Sequence, residues 1–254
     1  MPPSPPRLSD RPLVLGHRGA SADAPENTLA AFHLAMAQGA DGFELDVWRC
    51  DSGEPVVIHD SSAQRTAGVP RDVRDLSWGE LRALDAGSWR GPRHRGERIP
   101  RLADVLDAFP RAVVNVELKS DGVGDPRLAA AVGRLLAAHR AEERALVSSF
   151  DLALLGAFRI AAPRVAAGVL FAADQAWELR EWLGAALRPS AVHPDVRLAT
   201  DGRIAAWKRR GLAVNVWTVD DPGEVARLAR AGADGVVSNA PGMAREVVRR
   251  ATGR

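Results

Sequence analysis

The chain has 254 residues, 46% of them apolar and 26% charged, with a formal net charge of +2. This length and composition suit a globular protein with a substantial buried core. The 34 basic residues are interleaved with 32 acidic ones, which does not favour nucleic-acid binding. The single cysteine, Cys50, excludes an intrachain disulfide and favours a cytoplasmic location.

Residues 1–12 are rich in proline and polar residues and lack the apolar core of a secretory signal. We interpret them as a disordered leader ahead of one domain over residues 13–254. Charged residues interrupt every apolar stretch before it reaches the roughly 18 residues that a membrane-spanning helix needs. The sequence therefore predicts no membrane insertion.

From residue 13 onward, short apolar or β-branched runs alternate with stretches rich in alanine and leucine. This alternation predicts a parallel sheet whose strands are joined by crossover helices. An additional extended run covers residues 55–59. The eight predicted strands span residues 13–17, 42–47, 113–119, 145–148, 165–170, 191–193, 213–218 and 235–238.

Two helix starts are marked by local chemistry, at residues 25–28 before a helix over 29–38 and at residues 220–222 before a helix over 224–231. Gly39 and Gly232 are expected to end these helices. Strand-helix units continue to the carboxyl end, which favours an α/β fold of the closed (β/α)₈ TIM barrel type over an open doubly wound sheet. Glycine, proline and arginine are common over residues 61–98, which predict a small insertion after the second strand that caps one end of the barrel.

Polar motifs end several of these strands, and barrel enzymes build their active sites at the carboxyl ends of strands. Side chains alternate along a strand, so Glu44 and Asp46 share one face, as do Glu117 and Lys119. Inward carboxylates are costly unless a cation binds them, so the three acids predict a metal site. Oxygen ligands without paired His or Cys favour Mg²⁺ or Ca²⁺ over Zn²⁺. In the alternative, the acids face outward and pair with neighbouring helices.

His17 and His59 lie beside these acids and are candidates for acid/base catalysis. Arg18 and Lys119 would bind an anionic phosphoryl group, and Lys119 is one of only two lysines, against 32 arginines. Trp217 is a candidate apolar wall for the alcohol part of a substrate. Simpler interpretations remain open: Arg18 pairs with Glu26, and Trp217 fills the upper layer of the barrel.

In these motifs the chain resembles the glycerophosphodiester phosphodiesterase family, and the likeness covers nearly the whole chain after the leader. The matching motifs occur in a specific joint order. They include Gly-His-Arg-Gly at 16–19, Pro-Glu-Asn-Thr at 25–28, Glu-Leu-Asp-Val at 44–47, Val-Val-Ile-His-Asp at 56–60, Val-Glu-Leu-Lys at 116–119 and Val-Trp-Thr-Val at 216–219.

The resemblance implies a TIM barrel with a small insertion and metal-dependent hydrolysis of a small phosphodiester such as glycerophosphocholine. The products would be sn-glycerol 3-phosphate and an alcohol, formed through attack of the glycerol 2-hydroxyl and a cyclic phosphate that water opens. The resemblance gives each candidate residue a role. His17 and His59 would be general acid and base, Glu44, Asp46 and Glu117 divalent-metal ligands, and Arg18 and Lys119 phosphate contacts.

The sequence departs from the family pattern at two places. Residues 238–241 read Ser-Asn-Ala-Pro where many relatives carry Thr-Asp-x-Pro, and residues 50–53 replace a more usual Thr-x-Asp-Gly turn. Neither departure falls on a proposed site residue, so the first is expected to affect only the rim of the site.

Two alternative functions stay open at this stage. A lysophospholipase D would need an apolar groove for an acyl chain, to which Val69, Leu76, Trp78 and Trp89 of the insertion could contribute. A non-catalytic barrel would bind glycerophosphodiesters or sugar phosphates, but every position that catalysis requires is filled.

Overall fold

A computed structural model describes residues 2–6, 11–174 and 176–253 of the chain. Within these ranges it contains one sheet of nine strands. They are β1 (Leu13–His17), β2 (Gly42–Arg49), β3 (Pro55–Val57), β4 (Val113–Leu118), β5 (Ala145–Ser149), β6 (Ala166–Phe171), β7 (Ala191–Pro194), β8 (Ala213–Val216) and β9 (Gly235–Ser238).

All strands except β3 pair in parallel, and β1 pairs with both β2 and β9, so the sheet closes into a barrel. The short β3 runs antiparallel to β2 outside the barrel. The predicted (β/α)₈ TIM barrel is therefore confirmed, as is each of its eight predicted strands.

Helices separate the strands and pack outside the barrel. In the described ranges they are α1 (Leu29–Ala37), α2 (Gln64–Ala67), α3 (Trp78–Leu81), α4 (Leu102–Ala108), α5 (Pro126–Ala138), α6 (Leu152–Ala161), α7 (Trp177–Ala185), α8 (Asp201–Arg209), α9 (Pro222–Ala231) and α10 (Pro241–Thr252). The predicted start of α1 is confirmed by Thr28, whose side chain accepts from the N–H of Ala31. None of the helices in this part of the chain has the length and apolar character needed to cross a membrane.

The interior of the barrel is layered because alternate strand residues point inward. Near the amino-terminal ends the layer is apolar and includes a cluster of Leu146, Ala166, Ala191 and Ala213. Towards the carboxyl ends the same inward face carries buried polar groups. Among them, Nε2 of His193 lies 3.2 Å from Nδ2 of Asn215. Polar side chains therefore lie directly beneath the predicted site.

Gly168 on β6 leaves the space that the His193 ring occupies. A Cβ at this position would lie 2.6 Å from two atoms of that ring. We expect Gly168→Ala to lower the free energy of unfolding by about 1–3 kcal/mol, because overpacking a tight interior forces neighbours to move. The matched control is Gly202→Ala in α8, where nothing lies within 4 Å of the added methyl group. Urea unfolding of both variants checks this, and equal midpoints would contradict it.

Burial lowers the pKa of His193 to about 3, from 6.5. Between these values the unfolded chain binds a proton that the folded chain does not, so stability falls as the pH drops from about 6.5 towards 3. One such proton gives a slope of up to about 1.4 kcal/mol per pH unit. We expect His193→Gln to show a shallower loss in urea unfolding across this window. An unchanged slope would refute the assignment.

The predicted insertion, residues 61–98, contains α2, α3 and short 3₁₀ turns, and it packs against the hairpin of β2 and β3 through its own apolar cluster. Arg65 of the insertion forms ion pairs with Glu26 and Asp60. Of the predicted leader, residues 1 and 7–10 lie outside the described residues. Pro5 and Pro6 lie with Leu13 around a small cavity at the amino-terminal end of the barrel.

Candidate active site

The turn between β1 and α1 brings His17 and Arg18 to the mouth of the barrel. Arg18 has a φ of +54° and Gly19 of +85°. A Cβ on Gly19 would lie 2.6 Å from the carbonyl carbon and the Cβ of Ala31, so this position requires glycine. The turn directs the backbone N–H of Arg18 to Oε2 of Glu44, at 3.1 Å.

Three acids from two neighbouring strands meet at this mouth. Asp46 on β2 is in register with Glu117 on β4, and Glu44 lies one inward position below Asp46. Each of the three offers a carboxylate oxygen, and these oxygens lie within 4.8 Å of one another. The three acids therefore face the interior of the barrel and not its outer helices.

The protonation of the three acids reflects their crowding. Burial raises the pKa of Glu44 well above its ordinary value, and the charges of Asp46 and Glu117 raise it further. Burial likewise raises the pKa of Glu117. Burial also acts to raise the pKa of Asp46, but Lys119 and Arg18 outweigh it, and the pKa is lowered. The ionised forms of Glu44 and Glu117 are thus disfavoured at this site, and a bound divalent cation would supply the positive charge that offsets this cost.

Lys119 and Arg18 are the two cations of the site. Nζ of Lys119 lies 2.8 Å from Oε1 of Glu117 and 3.4 Å from Oδ1 of Asp46. Nε of Arg18 lies 3.2 Å from Oδ2 of Asp46, and its Nη1 donates to Oε1 of Glu26 at 3.0 Å. The simpler interpretation of Arg18, a pair with Glu26, therefore holds together with its place in the site.

The two histidines are each held at Nδ1 by a neighbour. Nδ1 of His17 lies 2.7 Å from Oδ1 of Asn239, and Nδ1 of His59 lies 2.6 Å from Oδ1 of Asp60. Burial lowers the pKa of His17 to about 4, with the charge of Arg18 as a second cause. Burial acts to raise the pKa of Asp60, but hydrogen bonds from Arg65 and His59 lower it to about 2. His17 thus faces a neutral amide, and His59 faces a carboxylate.

Trp217 and Phe150 form an aromatic wall at this site. Their rings meet edge to face with centroids 5.7 Å apart, and Nε1 of Trp217 donates to the carbonyl of His193 at 2.8 Å. Both rings line a cavity of about 130 Å³. Seven of the eight predicted site residues line this cavity: His17, Arg18, Glu44, His59, Glu117, Lys119 and Trp217. The eighth, Asp46, is buried behind the lining, with its carboxylate within 4.8 Å of those of Glu44 and Glu117.

A larger cleft of about 440 Å³ adjoins the cavity, and Glu117, Lys119 and Phe150 line both.

Residues 17–243 match the model of the glycerophosphoryl diester phosphodiesterase family. The chain belongs to this family. It is therefore an enzyme of the phosphodiesterase class, and the resemblance seen in the sequence is confirmed.

Relatives and solved structures support the family assignment over at least 90% of the chain. The chain is 34% identical to a glycerophosphodiester phosphodiesterase of Caldanaerobacter subterraneus subsp. tengcongensis, over 90% of this chain and 94% of that protein. Its fold superposes on a phosphodiesterase of Oleispira antarctica in complex with the product sn-glycerol-3-phosphate, with a TM-score of 0.84, 31% identity and coverage of 94% and 97%. A glycerophosphodiester phosphodiesterase of Agrobacterium tumefaciens gives a TM-score of 0.80 at 30% identity, with 92% and 99% covered.

In this phosphodiesterase, supporting residues that the sequence did not single out hold the predicted ones. Nδ2 of Asn27 donates to Oδ2 of Asp46 at 2.9 Å, and Asp60 holds His59. Asn27 belongs to the motif Pro-Glu-Asn-Thr, which in the sequence marks a helix start and a family resemblance but indicates no contact with Asp46. Asn239 also corrects an expectation: the departure at residues 238–241 does not affect only the rim, because its asparagine contacts the ring of His17.

Proposed function

We propose that the chain hydrolyses glycerophosphodiesters to sn-glycerol 3-phosphate and an alcohol in a metal-dependent reaction with His17 and His59 as the acid/base pair. The observation that supports this most is the meeting of two histidines, two cations and the acidic cluster at one cavity. We further propose that residues 13–254 act as a single catalytic domain, with residues 61–98 as its insertion.

The acidic cluster fits a divalent cation, Mg²⁺ or Ca²⁺, because all its ligand atoms are carboxylate oxygens. Glu44, Asp46 and Glu117 would hold the ion. When bound, such an ion supplies positive charge that offsets the negative charge of a phosphoryl group and favours the ionised form of a nearby hydroxyl.

His17 is suited to accept the proton of the glycerol 2-hydroxyl. Its neighbour Asn239 is neutral, and its pKa is lowered to about 4, so the ring is neutral near pH 7. The donation of a proton to the leaving alcohol falls to His59, whose ring the Asp60 carboxylate holds at Nδ1. In each ring Nδ1 is engaged, which leaves Nε2 for the substrate.

Arg18 and Lys119 would bind the phosphoryl oxygens, since both reach the acidic cluster and line the cavity. Trp217 and Phe150 would exclude water from the apolar side of the substrate. The adjoining cleft of about 440 Å³ would hold the alcohol that leaves.

A small polar diester is favoured over a lysophospholipid. Of the four apolar residues of the insertion that could line an acyl groove, Val69, Leu76 and Trp78 pack into the insertion's own cluster. Trp89 is 43% exposed, and its indole N–H donates to the carbonyl of Ala86. Product release should therefore be faster from glycerophosphocholine than from lysophosphatidylcholine. The reverse preference would show that the chain acts as a lysophospholipase D.

Chelation is the direct test of metal dependence. We expect release of glycerol 3-phosphate from glycerophosphocholine to stop when the protein is treated with EDTA, because the acidic cluster would then lack the charge that a phosphoryl group requires. Excess Mg²⁺ or Ca²⁺ should restore the activity, and the more effective ion identifies the preferred metal. Full activity after exhaustive chelation would remove metal dependence from the proposal.

A further inference from the structure

Asn239 lies behind the ring of His17, at the junction of the last strand and the first. Its Oδ1 lies 2.7 Å from Nδ1 of His17. An amide oxygen accepts hydrogen bonds and cannot donate them, so Nδ1 of His17 carries the hydrogen in this contact. In a neutral imidazole with its hydrogen on Nδ1, Nε2 is the acceptor nitrogen.

The orientation of the Asn239 amide is set by two other contacts. Its Nδ2 donates to Oδ2 of Asp220 at 2.5 Å, and the hydroxyl of Ser21 donates to its Oδ1 at 2.7 Å. Rotation of the amide by 180° would place its oxygen against the Asp220 carboxylate, with no hydrogen between the two oxygens. The flipped amide would therefore lose the bond to Asp220, and this fixes the orientation of the amide independently of the tautomer of His17.

Asp220 is itself fixed by the segment that carries Asn239. Its Oδ1 accepts from the hydroxyl of Ser238 at 2.9 Å and from the backbone N–H of Asn239 at 2.8 Å. Asp220, Asn239 and His17 thus form a hydrogen-bonded chain in which each donor points towards Asp220. An aspartate at 239 would bring two carboxylates to hydrogen-bonding distance, so the amide serves both neighbours in a way that an acid would not.

We propose that Asn239, oriented by Asp220, is a positioning residue that holds His17 in the tautomer with hydrogen on Nδ1, so that Nε2 accepts the proton of the substrate. This inference rests on the proposed role of His17 as proton acceptor. The burial that lowers the pKa of His17 agrees with it, because only a neutral ring has an acceptor nitrogen.

The test uses the full chain with ¹⁵N-labelled histidine. The ring nitrogens of His17, assigned by their loss in His17→Ala, should show a protonated Nδ1 and an unprotonated Nε2. In Asn239→Ala both tautomers should appear. We expect kcat to fall about 10- to 100-fold, with KM for glycerophosphocholine nearly unchanged, because positioning acts on the proton transfer and not on substrate binding.

The swapped pair, Asn239→Asp with Asp220→Asn, is the matched rescue variant. It keeps an acceptor at Nδ1 of His17 and a donor between the two side chains, so it should restore the wild-type tautomer and raise kcat above that of Asn239→Ala.

A wild-type ring with hydrogen on Nε2 would overturn the inference even if Asn239→Ala does not fold. A loss of kcat in Asn239→Ala without a change of tautomer would overturn it as well. Activity retained in His17→Ala would instead refute the proposed role of His17, while the nitrogen signals would still report the tautomer.

Discussion

His59→Ala and His17→Ala are each expected to lower kcat by about 10²- to 10⁴-fold, the usual contribution of general acid or base catalysis. The KM for glycerophosphocholine should change far less, since Arg18 and Lys119 would still bind the phosphoryl group. Release of glycerol 3-phosphate measures both constants. The matched control is His139→Ala, at the end of α5, where the ring contacts the carbonyl of Leu135 and not the site. Wild-type kcat in either site variant would remove that histidine from the acid/base pair.

The leaving group separates the two roles. A diester of glycerol 3-phosphate with p-nitrophenol releases a stable anion and needs little help from a general acid. His59→Ala should therefore lose much less activity on this substrate than on glycerophosphocholine. His17→Ala should be equally impaired on both substrates, because the attacking hydroxyl still needs a base. The opposite pattern would exchange the two roles.

The barrel and most of the candidate site could be predicted because their signals are local in the sequence. Alternation within a strand already placed Glu44 with Asp46, and the carboxyl-end rule placed both beside Glu117. The rest depends on closure of the barrel, which no periodicity encodes. Asn239 and His17 are 222 residues apart and meet because β9 pairs with β1.

The electrostatic partners were even less accessible from sequence. Arg65 of the insertion pairs with Asp60 and Glu26, and Asp60 in turn holds His59. The sequence presented Arg18 as either a phosphate contact or a partner of Glu26, but its guanidinium contacts both Glu26 and Asp46. Such shared partners follow from side-chain geometry across loops, where propensity and spacing carry no information.

Glu44→Gln should separate metal binding from folding. The substitution removes one of three clustered negative charges but keeps an oxygen that can accept from the N–H of Arg18. Because burial and the charges of Asp46 and Glu117 already disfavour the ionised form of Glu44, the metal-free variant should be at least as stable as the wild type.

With metal bound, the wild type should be more stable than Glu44→Gln. An ion at 100 times its Kd stabilises the wild type by about 2.7 kcal/mol, and this gain should largely disappear in Glu44→Gln. The kcat of Glu44→Gln should also fall, by at least about 100-fold. Thermal unfolding with and without Mg²⁺ or Ca²⁺ measures the gain. The matched control, Glu143→Gln, changes an exposed acid in the segment before β5, at the opposite end of the barrel. This variant should keep the full metal-induced gain in stability. A metal-induced gain of equal size in Glu44→Gln and the wild type would show that the ion binds elsewhere, because a ligand that lost its charge at the binding site cannot leave the affinity unchanged.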